Sequence, residues 1–151
     1  MNKKGFTLIE VLVVITIISL VGVSFLGGYT YLAKREMQDV SKHVKEMIEG
    51  MQQQAALENR TYKLNVQNKQ RLYVTADTKE SFTYTVPKSI QVYIGTEANY
   101  FAPGKQIVFT KDVSPSETGT LTIWHKAIPY HIKMTVRPVT GIVTIYDLEK
   151  N

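Results

Sequence analysis

One carboxylate interrupts a long apolar run near the N-terminus. Between positions 6 and 33 the only ionisable side chains are those of Glu10, Tyr29 and Tyr31. An ionised carboxylate in apolar surroundings is costly unless a cation or hydrogen-bond donors satisfy it. Glu10 therefore indicates one of two things: a position at a membrane surface, where water solvates it, or a specific pairing partner.

The run that contains Glu10 has the length of a membrane span. Residues 11–33 are 23 residues without a formal charge, and at ~1.5 Å per residue they can cross a hydrocarbon core of ~30 Å. Lys3 and Lys4 precede the run and favour a cytoplasmic N-terminus. A secretory signal would be shorter and would end in a small-x-small cleavage site. We therefore predict a single-pass plasma membrane protein with an extracytoplasmic head.

The other reactive side chains form no recognisable site. The chain has no cysteine, which excludes disulfides and thiolate metal sites. His43, His125 and His131 lack metal-ligand spacing, and no nucleophile or phosphate-binding motif occurs. We expect no enzyme activity, no cofactor and no metal, and we assign His125 a packing or surface role.

The residues around Glu10 resemble a known processing signal. Residues 4–10, KGFTLIE, followed by the apolar run, are similar to the class III signal of type IV prepilins and pseudopilins. The resemblance implies that residues 1–5 are a leader peptide. It implies that a membrane prepilin peptidase cleaves between Gly5 and Phe6 and methylates the new amine of Phe6. Glu10 then matches the glutamate that the family has five residues into the mature chain.

Cleavage would supply a partner for Glu10. The new amine of Phe6 is four residues away, or ~6 Å along a helix axis. When apolar helices bundle in a filament, water leaves and an unpaired carboxylate becomes costly. We therefore expect the Phe6 amine of a neighbouring subunit to neutralise Glu10 and to set the axial offset between subunits.

Small residues in the same run predict close helix packing. Gly22, Gly27 and Gly28 interrupt the large apolar residues, and Ser24 with Gly28 forms a small-x-x-x-small pair. We predict that these four positions lie in contacts between helices. Local unwinding at Gly27-Gly28 during assembly is the alternative, because related major pilins carry a helix-breaking proline at about this place.

Beyond residue 33 the pattern predicts an amphipathic helix that ends near Glu58. Apolar residues recur every three or four positions and define one buried helix face. These residues are Met37, Val40, Val44, Met47, Ile48, Met51 and Ala55. Gly50 lies inside the pattern, where it would let a strand pack close.

From residue 61 the apolar period changes to two, which predicts strands. The predicted strands are 62–66, 71–74, 82–86, 90–94, 107–110, 121–125, 130–136 and 142–146, with prolines and glycines between them. The expected fold class is α+β, a pilin-like long N-terminal helix packed on a mostly antiparallel sheet. The predicted segments are a leader (1–5), a transmembrane and filament-core helix (6–33), its amphipathic half (34–59) and the head (60–151).

Parts of the amphipathic helix and head carry a second resemblance. Residues 44–48, 52–55, 60–64, 119–123, 131–136 and 140–145 are similar to the D-type (ComGD-type) competence pseudopilins of Gram-positive bacteria. The resemblance implies a minor subunit of a competence pilus, which serves DNA uptake in transformation. The implied partners are other major and minor competence pseudopilins, the prepilin peptidase and a polytopic assembly platform protein.

Two other functions stay open at this point. In the first, the processing signal has the same role, but the chain is a minor pilin of a type IV pilus or of a type II secretion pseudopilus. The other is a binding module tethered by an uncleaved membrane anchor.

Direct DNA binding is a separate question. Lysines, arginines and tyrosines mix along the head and can bind phosphate and stack on bases. Outward strand positions often carry such residues for no special reason, and a net charge of +5 that includes Lys3 and Lys4 is modest. DNA is therefore not among the expected direct partners.

Overall fold

Within the described residues, one long helix precedes ten strands. The computed structural model describes residues 7–77, 79–95, 106–110, 115–117, 119–137, 140–146 and 149–150. Helix α1 is Leu8–Glu58, and the strands are β1 (Tyr62–Gln67), β2 (Arg71–Ala76), β3 (Lys79–Thr85), β4 (Ile90–Ile94), β5 (Ile107–Phe109), β6 (Pro115–Glu117), β7 (Thr120–His125), β8 (Tyr130–Val136), β9 (Val143–Ile145) and β10 (Glu149–Lys150). The chain divides into two compact units, Met1–Ala33 and Lys34–Asn151.

The first unit contains the apolar part of α1. Within the described residues, α1 is the one helix long and apolar enough to cross a membrane, and its most apolar window is not buried. Leu8 is 84% exposed and Ile18 is 65% exposed. An apolar surface of this extent needs lipid or other helices to cover it.

The second unit buries the predicted apolar face of α1. All seven residues of that face are at most 9% exposed: Met37, Val40, Val44, Met47, Ile48, Met51 and Ala55. Lys45 and Glu49 form an exposed ion pair of 3.6 Å one helical turn apart. The expectation for Gly50 is wrong, because a Cβ built there meets no described atom within 4 Å.

Two antiparallel sheets form the rest of the second unit. Their strand orders are β3-β2-β1-β5-β6 and β10-β8-β7-β4, and β9 also pairs with β8. All eight predicted strands are confirmed within three residues at either end. The sequence did not predict β6 and β10. Strand β6 begins at Pro115, which is tolerated because β6 is at the edge of its sheet, where a missing N–H breaks no ladder bond.

Helix α1 ends at Glu58 because a left-handed residue follows it. Asn59 has φ +54°, and the Arg60 N–H donates to the Ala55 carbonyl at 3.3 Å. This is the six-to-one hydrogen bond of a Schellman motif with asparagine in the left-handed position. The motif turns the chain into β1, so the predicted helix end is confirmed.

Tyr62, the first residue of β1, joins that strand to the end of α1. Its hydroxyl donates to Glu58 Oε2 at 2.8 Å, and its side chain is 2% exposed. Burial raises the pKa of the Tyr62 phenol, and the Glu58 carboxylate raises it further because it accepts the phenolic proton and is negatively charged. The neutral phenol is therefore a structural element of this junction.

The pH dependence of stability reports on this phenol. The folded pKa of Tyr62 is above the unfolded value of ~10. The contribution of the neutral phenol to the free energy of unfolding is therefore complete below that pH and is lost as pH rises through the folded pKa. We expect the free energy of unfolding to fall less steeply above pH ~10 in Tyr62→Phe than in the wild type. Denaturant titrations of the detergent-solubilised chain measure this, with the exposed Tyr146→Phe as control. Equal slopes in Tyr62→Phe and wild type would contradict the assignment.

Gly141 sets how closely the turn before β9 approaches α1. Its φ is +66°, and a Cβ there would lie 2.5 Å from Gln52 Nε2 and 3.1 Å from Phe109 Cε1. Gln52 Nε2 also donates to the Thr140 carbonyl at 3.2 Å. Both the backbone conformation and the space therefore require glycine at this position.

We expect Gly141→Ala to lower the free energy of unfolding by about 1–3 kcal/mol, because it adds strain and a clash. Gly50→Ala is the matched control. Its added methyl group enters open space on a helix, where alanine is favoured over glycine by about 0.5–1 kcal/mol. Denaturant unfolding compares the two, and equal destabilisation by both variants would refute this reading of Gly141.

Candidate assembly site

The start of α1 is a capping box built by Thr7 and Glu10. The Thr7 N–H donates to Glu10 Oε2 at 2.8 Å, and the Thr7 hydroxyl donates to the same oxygen at 2.9 Å. In return the Glu10 N–H approaches Thr7 Oγ1 at 3.4 Å. Reciprocal bonds between residues three apart satisfy backbone donors that a helix start leaves unpaired.

The capping box also orients the carboxylate. Both Thr7 donors reach Oε2, and the described residues place no hydrogen bond on Oε1. A negative charge in the first turn is favoured by the helix dipole. Glu10 is thus held by its own chain through one oxygen, while the other oxygen can accept a bond from outside.

Sequence reasoning singled out Glu10 but missed Thr7. The signal was present, because threonine followed three residues later by glutamate before an apolar run is the sequence pattern of a capping box. Gly5 and Phe6 lie outside the described residues. Their processing, and the pairing of the Phe6 amine with Glu10, therefore remain predictions.

The small residues predicted to pack between helices lie on α1 without partners in the described residues. A Cβ built on Gly22, Gly27 or Gly28 meets nothing there within 4 Å. Ser24 lies in α1, and its side chain is outside the described part. The helix continues through Gly27-Gly28 in the isolated chain, and local unwinding there during assembly stays the alternative. Packing against other helices stays a prediction.

A polar cluster in the head resembles catalytic chemistry in composition only. Ser89 Oγ donates to the Glu36 carboxylate at 2.9 Å, and His125 Nε2 lies 3.4 Å from Glu36 Oε2. The Ala127 N–H donates to His125 Nδ1 at 3.2 Å. A serine nucleophile needs the imidazole between its hydroxyl and the acid, whereas here both groups contact one carboxylate. The cluster ties α1 to the turn before β4 and to the end of β7. His125 is 5% exposed, so of the packing or surface role predicted for it, the structure shows packing.

The head offers no metal site within the part of the chain that the structure describes. No group of three or more histidine, aspartate or glutamate side chains is placed to hold an ion there. At the β2–β3 end, Glu58 and Asp77 each lie 3.9 Å from the Arg60 guanidinium. Arg60 thus offsets part of the negative charge of these two carboxylates.

Known proteins share the start of this chain and its fold. The family model described as “Prokaryotic N-terminal methylation motif” matches residues 1–26. No curated protein matches the chain. The minor pseudopilin EpsH from the type 2 secretion system of Vibrio cholerae superposes with a TM-score of 0.58 at 14% identity, over 74% of this chain and 96% of that one. The type IV minor pilin FimU of Pseudomonas aeruginosa gives 0.58 at 9% identity, over 75% and 90%.

This chain has a pilin-like fold. The prediction of an α+β protein with a long N-terminal helix packed on antiparallel sheets is confirmed. The matched motif covers Gly5, Phe6 and Glu10, which are the residues on which the sequence argument rested. The motif and the fold are thus two separate similarities to known proteins.

The capping box generates a direct test. The variant Thr7→Val keeps the shape of the side chain but removes both contacts of the Thr7 hydroxyl with Glu10. We expect it to speed amide exchange of residues 8–11 about fivefold, the equivalent of ~1 kcal/mol for a lost cap. Hydrogen-exchange mass spectrometry of the full chain in detergent measures this. Thr16→Val is the matched control, since the Thr16 hydroxyl bonds the Leu12 carbonyl at 2.8 Å within the helix. Unchanged exchange in Thr7→Val would refute the box.

Proposed function

We propose that this chain is a minor pilin or pseudopilin that is cleaved after Gly5, held in the membrane by α1 and then assembled into a filament. The observation that carries the proposal is the Glu10 carboxylate, fixed through one oxygen on a helix whose apolar side chains are exposed. That surface needs lipid before assembly and other helices after it. The carboxylate needs a cation once water leaves.

Each part of the N-terminal segment has a role in this function. The peptidase removes residues 1–5 and creates an amine at Phe6. Thr7 holds Glu10 Oε2, so Oε1 is directed to the incoming amine of a neighbouring subunit. Gly22, Ser24, Gly27 and Gly28 then allow the helices to approach closely.

Within this class, a competence-type pilus that serves DNA uptake is the function we favour. The support is the resemblance of head segments such as 119–123 and 131–136 to D-type competence pseudopilins. EpsH belongs to a type 2 secretion system and FimU is a type IV minor pilin, so both machines remain alternatives. The proposed partners are other pseudopilins, the prepilin peptidase, the platform protein and the membrane, with a structural role and no direct DNA contact.

Mass spectrometry of the N-terminus tests the processing step. When the chain is co-expressed with a prepilin peptidase and extracted from membranes, we expect it to begin at an N-methylated Phe6. A Gly5→Leu variant, which blocks close approach of the protease to the backbone, should keep Met1. A wild-type chain that still begins at Met1 beside an active peptidase would favour the tethered binding module instead.

Filament incorporation tests the role of Glu10. We expect Glu10→Ala to reduce the subunit in sheared filaments at least about tenfold, the equivalent of ~1.4 kcal/mol or more, with unchanged amounts in the membrane. Glu49→Ala is the control, because it removes a carboxylate from an exposed pair on the same helix. Immunoblots of filament and membrane fractions provide the readout. Wild-type incorporation of Glu10→Ala would contradict the proposal.

A further inference from the structure

Four cationic side chains mark the part of the head where α1 enters it. They are Lys34, Arg35, Lys88 and Lys126, and we call them the basal patch. Arg35, Lys88 and Lys126 are exposed, and Lys34 is half-buried with its ammonium 4.0 Å from the centroid of the Tyr130 ring. The patch therefore combines helix residues with residues from two turns of the head.

Specific contacts bring these turns beside the first helical turn of the head. Lys126 Nζ donates to the Lys88 carbonyl, and the Lys126 N–H donates to the Ser89 carbonyl at 2.8 Å. Ser89 in turn donates to Glu36 on α1 at 2.9 Å. The Glu36–Ser89–His125 cluster thus fixes Lys88 and Lys126 close to residues 34–36.

The basal patch has a surplus of positive charge. Glu36, the carboxylate at its centre, is already bonded by Ser89 and contacted by His125. Asp39 lies one helical turn beyond Arg35. Among the side chains that the structure describes here, four cations therefore stand against two carboxylates, one of which is engaged within the protein. A phosphate group complements this surface in charge.

The position of the basal patch along the chain indicates that the phosphate belongs to a membrane lipid. Lys34 and Arg35 directly follow the uncharged residues 11–33. Tyr29 and Tyr31 stand just before them and are 53% and 65% exposed. Tyrosines and then lysines or arginines at the end of a span are typical of the headgroup level of a bilayer.

We propose that the basal patch binds the phosphates of anionic membrane lipids while the subunit waits in the membrane. The inference rests on the proposed membrane anchoring and adds a lipid partner to it. The ammonium and guanidinium groups reach the headgroups, and their apolar stems lie against the protein. Entry into a filament then requires the release of these contacts.

Energy transfer from Trp124 tests the proposal, because Trp124 is the sole tryptophan and directly precedes His125 of the Glu36 cluster. The full chain is reconstituted in vesicles that carry a trace of dansyl-labelled phosphatidylethanolamine. We expect about twofold higher transfer efficiency in vesicles with phosphatidylglycerol than in phosphatidylcholine alone. The difference should vanish at about 0.5 M salt. Equal transfer in both lipids would overturn the proposal.

Charge variants assign the effect to the patch. The double variant Lys88→Glu/Lys126→Glu should lose the difference between lipids, and Lys63→Glu/Lys79→Glu, with the same charge change on β1 and β3, should keep it. The single variant Arg35→Gln, at an exposed position, should reduce the difference in transfer efficiency between the two lipids. It replaces the double variant in this test if circular dichroism shows that the double variant does not fold. Loss in the control pair, or retention in both patch variants, would refute the assignment.

Two further measurements distinguish a failure of membrane anchoring from a failure of lipid binding by the basal patch. Resistance to alkaline carbonate extraction shows that the span is inserted. A chain extracted by carbonate would count against the membrane anchoring itself, whereas an inserted chain without a lipid difference overturns the basal patch alone. Inorganic phosphate at matched ionic strength should leave the transfer unchanged. If it abolishes the difference, the patch binds free phosphate and not lipid.

Discussion

A carboxylate on an otherwise apolar helix is the constraint on which this account depends. Glu10 is tolerable where water reaches it and becomes costly where helices exclude water. Its own chain satisfies one oxygen through Thr7, which stabilises the helix start without neutralising the charge. In the proposed filament, the same residue that starts the helix therefore needs a partner on another molecule, and this would link local structure to assembly.

The core of the head is formed within the second unit of the chain. This unit buries the amphipathic face of α1 against two antiparallel sheets, in a chain without cysteine. Directional contacts complete this core at three places: the Schellman motif at Asn59, the Tyr62–Glu58 bond and the close approach at Gly141. The buried core thus lies in the head, whereas large apolar side chains of the first part of α1 are exposed and can be covered by lipid or other subunits.

Much of the fold could be predicted from the sequence, because the spacing of apolar residues shows which face of a helix or strand is buried. The three-and-four spacing from Met37 to Ala55 and the period of two beyond residue 61 depend on local chain geometry alone. Strands β6 and β10 were not predicted, because their sequences, PSE and EK, contain no large apolar side chain that could show a period. The Glu36–Ser89–His125 cluster was also beyond prediction, since its members are at least 36 residues apart along the chain and meet only through tertiary packing.

For the candidate site the sequence located Glu10 but not the orientation of its carboxylate, because that depends on which Thr7 donors reach which oxygen.

The central claim is the bond between Glu10 and the amine of a neighbouring subunit. Solid-state NMR on filaments mixed from subunits labelled with ¹⁵N at Phe6 and subunits labelled with ¹³C at the Glu10 carboxyl measures it directly. We predict a dipolar coupling that corresponds to about 4 Å or less, the range of an ion pair. The absence of that coupling in filaments that contain both labels would contradict the account.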